Sequence, residues 1–171
     1  MKSTSFFIAI PALLLSLTAI AGGTHAGGHD DVAIGKPGMA AKVSRTVSVD
    51  MTDNMRFSTT KIDAKQGETI RFLVKNSGKV KHEMVLGTAK ELKEHYEVMK
   101  KNPEMEHADA NMVTVAPGKT GEIIWQFTQS GKVDFACLQP GHYDAGMKGM
   151  VHVAGATKAK AGDSHGASHK H

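Results

Sequence analysis

The chain has 171 residues, enough for one domain of ordinary size, and carries 21 basic against 17 acidic side chains for a net charge of +4 with neutral histidine. The basic residues are dispersed, with small pairs at Lys79/Lys81 and Lys100/Lys101, and aromatics are few. That argues against nucleic-acid binding, which wants a basic stripe with stacking rings. The informative counts are ten histidines, ten methionines and a single cysteine.

At the N-terminus Lys2 precedes an apolar run from Phe6 to Ile20, too short to span a bilayer comfortably and followed by small residues. Residues 1–21 are therefore expected to be an export signal ending at Ala19-Ile-Ala21; Thr24-His-Ala26 offers an alternative cleavage point after residue 26. No second apolar run follows, so a processed chain is expected to lie in the periplasm without a membrane span. Residues 22–38, Gly-rich with His25 and His29, are expected to be a flexible arm.

The texture changes at Val43. Val43, Arg45, Val47 and Val49 alternate with Ser44, Thr46, Ser48 and Asp50, a period-two strand pattern. After the turn at Gln66-Gly67 a second strand is expected over 68–75, and after Asn76-Ser77-Gly78 a third over 80–86. Residues 88–111 break the pattern: Ala89 to Lys101 is rich in helix formers with opposite charges at helical spacing, and Asn102-Pro103 ends it. Strands resume at Met112–Val115, at 122–128 beyond Ala116-Pro117-Gly118, at 132–137 and at 148–153. Short strands with Gly and Pro turns predict a small all-β sandwich or barrel over 39–154, with 88–111 as a helical insertion. The tail 155–171, with His165, His169 and His171, lacks apolar periodicity and is expected to be disordered.

Cys137 is unpaired, so in an exported chain it is an intermolecular bridge, a free thiol or a metal ligand. His142 follows five residues later and Met147 five beyond that, in Cys137-Leu-Gln-Pro-Gly-His142-Tyr-Asp-Ala-Gly-Met147-Lys-Gly. Thiolate, imidazole and thioether are donors that favour copper. The loop supplies three ligands, and a further nitrogen is expected from a neighbouring strand, where His82 is placed to provide it. Two histidines, a thiolate and a weak axial thioether form the blue-copper arrangement, and a metal would hold the lone cysteine deprotonated. Zinc could occupy the same four ligands. Met147 is favoured over Met150 as the axial ligand, with Met150 read as an inward strand residue and Met84 as core.

The upstream histidine, the single-cysteine loop and the strand pattern resemble a cupredoxin over about 43–153. The wording of the loop is similar to that of the periplasmic copper-tolerance (CopI-like) members. The resemblance implies a Greek-key β-sandwich with type 1 copper near one end, held by His82, Cys137, His142 and Met147. One departure stands out. Many cupredoxins have an Asn or similar group after the first histidine to pin the ligand loop, and here the residue is Glu83. A carboxyl group there would alter hydrogen bonding around the metal.

In the insertion, His95 and Met99 lie four apart, and Met105 and His107 follow the Pro103 break. Two readings stand side by side: an additional copper site suited to Cu(I), or an exposed helix packing Leu92, Val98 and Met99 on the sandwich. The terminal histidines could capture metal loosely or merely solubilise the chain.

No enzyme is expected. A four-ligand site leaves no open position, and no Ser-His-Asp set, paired carboxylates or phosphate loop is present. The leading reading is copper tolerance and handling by a redox-active mononuclear copper protein. The alternative is dedicated electron transfer between redox partners. Copper ions, a redox or copper-transfer protein and a monomeric state are the expected associations.

Overall fold

In the computed structural model, which describes residues 35–105 and 107–156, ten strands and one α-helix lie among the described residues. In chain order these are β1 (Lys36–Pro37), β2 (Arg45–Thr52), β3 (Arg56–Phe57), β4 (Lys61–Lys65), β5 (Thr69–Asn76), β6 (His82–Gly87), α1 (Ala89–Lys101), β7 (Met112–Val115), β8 (Thr120–Gln126), β9 (Gly131–Ala136) and β10 (Lys148–Ala154). They form two five-stranded sheets, ordered β1-β8-β5-β2-β3 and β4-β10-β9-β6-β7. Successive strands repeatedly change sheets, the interleaving expected of a Greek-key sandwich. β2 with β5 and β4 with β10 pair in parallel, and the remaining pairs are antiparallel.

The period-two pattern does what it should. Ile70, Phe72 and Val74 of β5 and Ile123 and Trp125 of β8 point inward, against Met84 and Leu86 of β6, Val133 and Phe135 of β9, and Val151 and Val153 of β10. Each such large side chain contributes about 1.5–3 kcal/mol when it leaves water. Gly149 also faces inward, because a Cβ there would come within 2.2 Å of the Phe135 ring. Alternation from Val151 and Val153 therefore turns Met150 outward, contrary to its expected inward position, and it is only half-buried.

Three strands were not expected. β1 and β3 are two residues each, too short to carry a period, and β4 has only Ile62 and Ala64 as inward residues, with Ala a weak strand former. Lys36–Pro37, assigned by pattern to the end of a flexible arm, pair with Trp125 and Gln126 of β8. The export signal, most of the arm and the histidines at 25, 29, 165, 169 and 171 lie outside the described residues.

Helix α1 opens with a reciprocal cap. The Thr88 hydroxyl accepts from the Glu91 N–H at 3.2 Å, and the Glu91 carboxylate accepts from the Thr88 N–H at 2.7 Å. Asn102 closes it by donating its side-chain amide to the Val98 carbonyl. Leu92, Tyr96 and Met99 form the buried face, packed with Val85, Ala136 and Leu138 on the outer side of the second sheet. Val98, expected in that contact, is 45% exposed, and Tyr96 takes its place. The helix thus gives β6 two covered faces, which is why His82–Gly87 is buried without alternation.

At the far edge, Glu68 ties the β4–β5 turn by accepting from the Lys65 N–H at 2.8 Å and from the Arg45 guanidinium at 2.6 Å. Burial raises its pKa, but those donors outweigh it and hold the carboxyl below its usual value. The stabilisation is therefore full above the unfolded value near ~4.3 and is lost as pH falls through the folded one. Glu68→Gln should cost about 1 kcal/mol in urea unfolding of the apo chain at pH 7, and less in acid, below the unfolded carboxyl value. Equal losses at pH 7 and in acid would remove the charge from the explanation.

Candidate metal centre

The ends of three adjacent central strands meet at one end of the second sheet. His82 opens β6, Cys137 directly follows β9, and Met147 directly precedes β10. Because β9 neighbours both β6 and β10, closing the 137–147 loop returns the chain beside its own start. The Cys137 N–H donates to the Met147 carbonyl at 3.1 Å, and the Met147 N–H to the His142 carbonyl at 3.1 Å. Gly141, at φ +83°, makes the reversal that a side chain would strain.

His82, Cys137 and His142 converge, each offering a donor atom within 4.8 Å of the others. The Cys137 sulfur and His142 Nδ1 are 3.3 Å apart, and the two imidazole rings are 4.7 Å apart between centroids. His82 is completely buried, and its Nδ1 has no hydrogen-bond partner among the described residues. A buried nitrogen left unpaired costs free energy that a bound cation would recover. The donor set, two imidazole nitrogens and a sulfur around one point, fits copper. Met147 is also completely buried, among the core residues beside the cluster. His142 alone of the four is partly open to solvent.

Electrostatics agree with a site waiting for positive charge. Burial pushes the Cys137 thiol up to about 12, although the Glu83 N–H, 3.4 Å from the sulfur, pulls the other way. Only a nearby cation would make this thiol a thiolate at neutral pH. Burial, and then the His82 ring, lower the pKa of His142 and keep its nitrogen free to coordinate.

A surrounding layer holds these groups, and most of it was not legible in the pattern. Asp53, between β2 and β3, accepts from His82 Nε2 at 3.1 Å and leaves Nδ1 aimed at the cluster. The same carboxylate accepts from the Lys79 N–H at 2.8 Å, the main cause of its lowered pKa, and so secures the loop leading to His82. Gly78 is required there, since a Cβ would fall 2.1 Å from the Asp53 oxygen. Asn76, completely buried, donates to the Val80 and Val115 carbonyls at 2.8 and 2.9 Å.

Glu83, the expected oddity, faces away from the metal cluster and pins the ligand loop. Its carboxyl accepts from the Leu138 N–H at 2.9 Å and the Gln139 amide at 3.0 Å. Tyr96 of α1 holds the other side, donating to Asp144 at 2.8 Å and accepting from the Gly141 N–H at 3.0 Å, while stacking on Tyr143. The sequence pattern did not single out Asp53 and placed Tyr96 only as part of an insertion.

Of the other expected candidates, Met99, Met105 and His107 line one cavity together. His95 sits beside that cavity, with its ring 4.6 Å from the His107 ring.

Comparison with known proteins agrees with this chemistry. The family described as copper binding proteins, plastocyanin/azurin family, matches residues 43–154. The copper-resistant cuproprotein CopI of Rubrivivax gelatinosus is 51% identical over 135 residues, covering 77% of this chain and 82% of that one. A protein of the same name from Pseudomonas aeruginosa is 36% identical, covering 84% and 96%. Among solved structures, reduced auracyanin from Roseiflexus castenholzii superposes with a TM-score of 0.56 at 23% identity, over 66% of this chain and 98% of that one. At that identity the likeness concerns the fold.

Two outcomes follow from the supporting residues. Asp53→Ala should weaken copper retention against a chelator by roughly 10–100-fold, while a thiolate-to-copper absorption band persists in the loaded protein. Tyr96→Phe should lower unfolding stability by about 1 kcal/mol in chemical denaturation, by removing its hydrogen bonds to Asp144 and from the Gly141 N–H, and should leave the band in place.

Proposed function

The chain belongs to the plastocyanin/azurin family of copper-binding proteins, and on that premise we propose that it holds one type 1 copper through His82, Cys137, His142 and Met147 and serves in copper tolerance in the periplasm. The observation that carries this reading is the buried His82–Cys137–His142 cluster, with an unpartnered His82 nitrogen directed into it. Bound copper would supply reversible one-electron chemistry. The residues of the chain would bind it, exclude water and keep its surroundings rigid. Asp53 orients His82, Glu83 and Tyr96 clamp the loop, and burial of Cys137 and Met147 closes the site on the protein side. The partly open His142 is the edge through which an electron or a copper ion would be exchanged.

Copper tolerance is favoured because relatives 51% and 36% identical to this chain over the aligned residues carry the name copper-resistant cuproprotein. The site's four donors leave no position for a substrate, so binding and redox cycling are proposed rather than catalysis. Residues 1–21 are proposed as the export signal, residues 39–154 as the cupredoxin domain, and the mature chain as a monomer. Among the described residues no helix is long and apolar enough to cross a membrane.

A second reading, electron transfer between redox partners, draws on the same partly open His142. Growth separates the two. Deleting the gene should sensitise cells to copper, and Cys137→Ser should fail to restore growth; unchanged growth in copper would favour the electron carrier. On purified protein, copper should give an intense thiolate-to-copper band that Cys137→Ser abolishes. A colourless copper-loaded protein would sink both readings.

A further inference from the structure

The helical insertion covers a cavity of about 310 Å³ whose wall includes Met99, Met105, Met112 and His107. Met99 and Met112 are buried at its floor, 2% and 8% exposed, whereas Met105 is 44% exposed at its rim. His107 Nδ1 is buried and has no hydrogen-bond partner among the described residues. Pattern alone suggested four candidates here; tertiary structure adds Met112 from β7 and moves His95 to the side, where its ring packs on that of His107.

We propose that this cavity is a second metal site, selective for Cu(I), with the thioethers of Met99, Met105 and Met112 and the Nδ1 of His107 as donors. Soft thioether sulfur selects Cu(I) over harder divalent ions. Among the described residues the one carboxyl group on the wall, Glu83, is committed to the Leu138 and Gln139 donors and to the Thr114 hydroxyl. Lys81, also on the wall, adds positive charge that disfavours a divalent ion more than a monovalent one. The available donors are therefore soft or borderline, and the unpaired nitrogen has the same unmet need as that of His82. Glu83 and Gln139 line this cavity and also pin the 137–147 loop, so the two sites share a wall.

The site does not rest on the assignment of His82, Cys137 and His142, so it is tested without them. The full chain carrying Cys137→Ser should withhold Cu(I) from bicinchoninate under anaerobic conditions. Adding Met105→Leu with His107→Gln should lower the bound Cu(I) by one equivalent per chain. In an otherwise unaltered chain the same pair of substitutions should leave the thiolate-to-copper band unchanged, which also reports that the fold is intact. As a measurement needing no variant, Ag(I) added to the native apo chain should shift the methyl resonances of Met99, Met105 and Met112 together. An unchanged Cu(I) count after the double substitution, or Ag(I) shifts confined to the terminal histidines and the Cys137 loop, would overturn the proposal.

Discussion

The hydrogen bonds of Glu83 are what the site most depends on. Its carboxyl group is 2% exposed, and burying such a group is costly unless its oxygens are satisfied. Both are: one accepts from the Leu138 N–H, the other from the Gln139 amide and the Thr114 hydroxyl. Its backbone N–H meanwhile points at the Cys137 sulfur. A single residue thus joins the strand that supplies the first histidine, the loop that supplies the other donors, and β7. Removing the side chain would free the start of that loop and leave the Leu138 N–H buried without a partner. The cost would be paid in stability and in the geometry of the cluster together.

Around that tie the protein divides the work between a rigid floor and a clamped lid. The sandwich supplies the floor, because adjacency of β6, β9 and β10 sets where His82, Cys137 and Met147 emerge. The lid is the 137–147 loop, held at its start by Glu83, in its middle by Tyr96, and at Ala145 by the Arg56 guanidinium at 2.7 Å. Such support on several sides suits a metal centre, since it fixes the donors in place before the ion binds. The helix is thereby more than an insertion. It seals the outer face of β6, buttresses the ligand loop through Tyr96, and walls the methionine-lined cavity.

Among the described residues, the two buried, unpartnered imidazole nitrogens, on His82 and His107, lie beside sulfur-bearing side chains. Proteins rarely leave such atoms unpaired, because the lost hydrogen bond with water is not repaid by packing. Their coincidence with soft donors in two neighbouring places is consistent with a chain rich in histidine and methionine and poor in aromatics.

Much of this was legible in the residues alone. The spacing of Cys137, His142 and Met147 announces a copper loop because ligands on one tight turn must be close in space wherever the turn lies. Period two exposes β2, β5 and β8 because one face of each meets water. The strands β1, β3 and β4 escaped because two residues, or one Ile and one Ala, carry too little periodicity. What only tertiary structure decided are contacts between segments distant in sequence: Asp53 behind His82, Tyr96 under the loop, Met112 joining the methionines of the insertion, and Glu83 turned toward the helix side of the sheet to hold Leu138. A hydrogen bond between residues 29 or 55 positions apart leaves no mark in local pattern, because its geometry is created only when the sheets close.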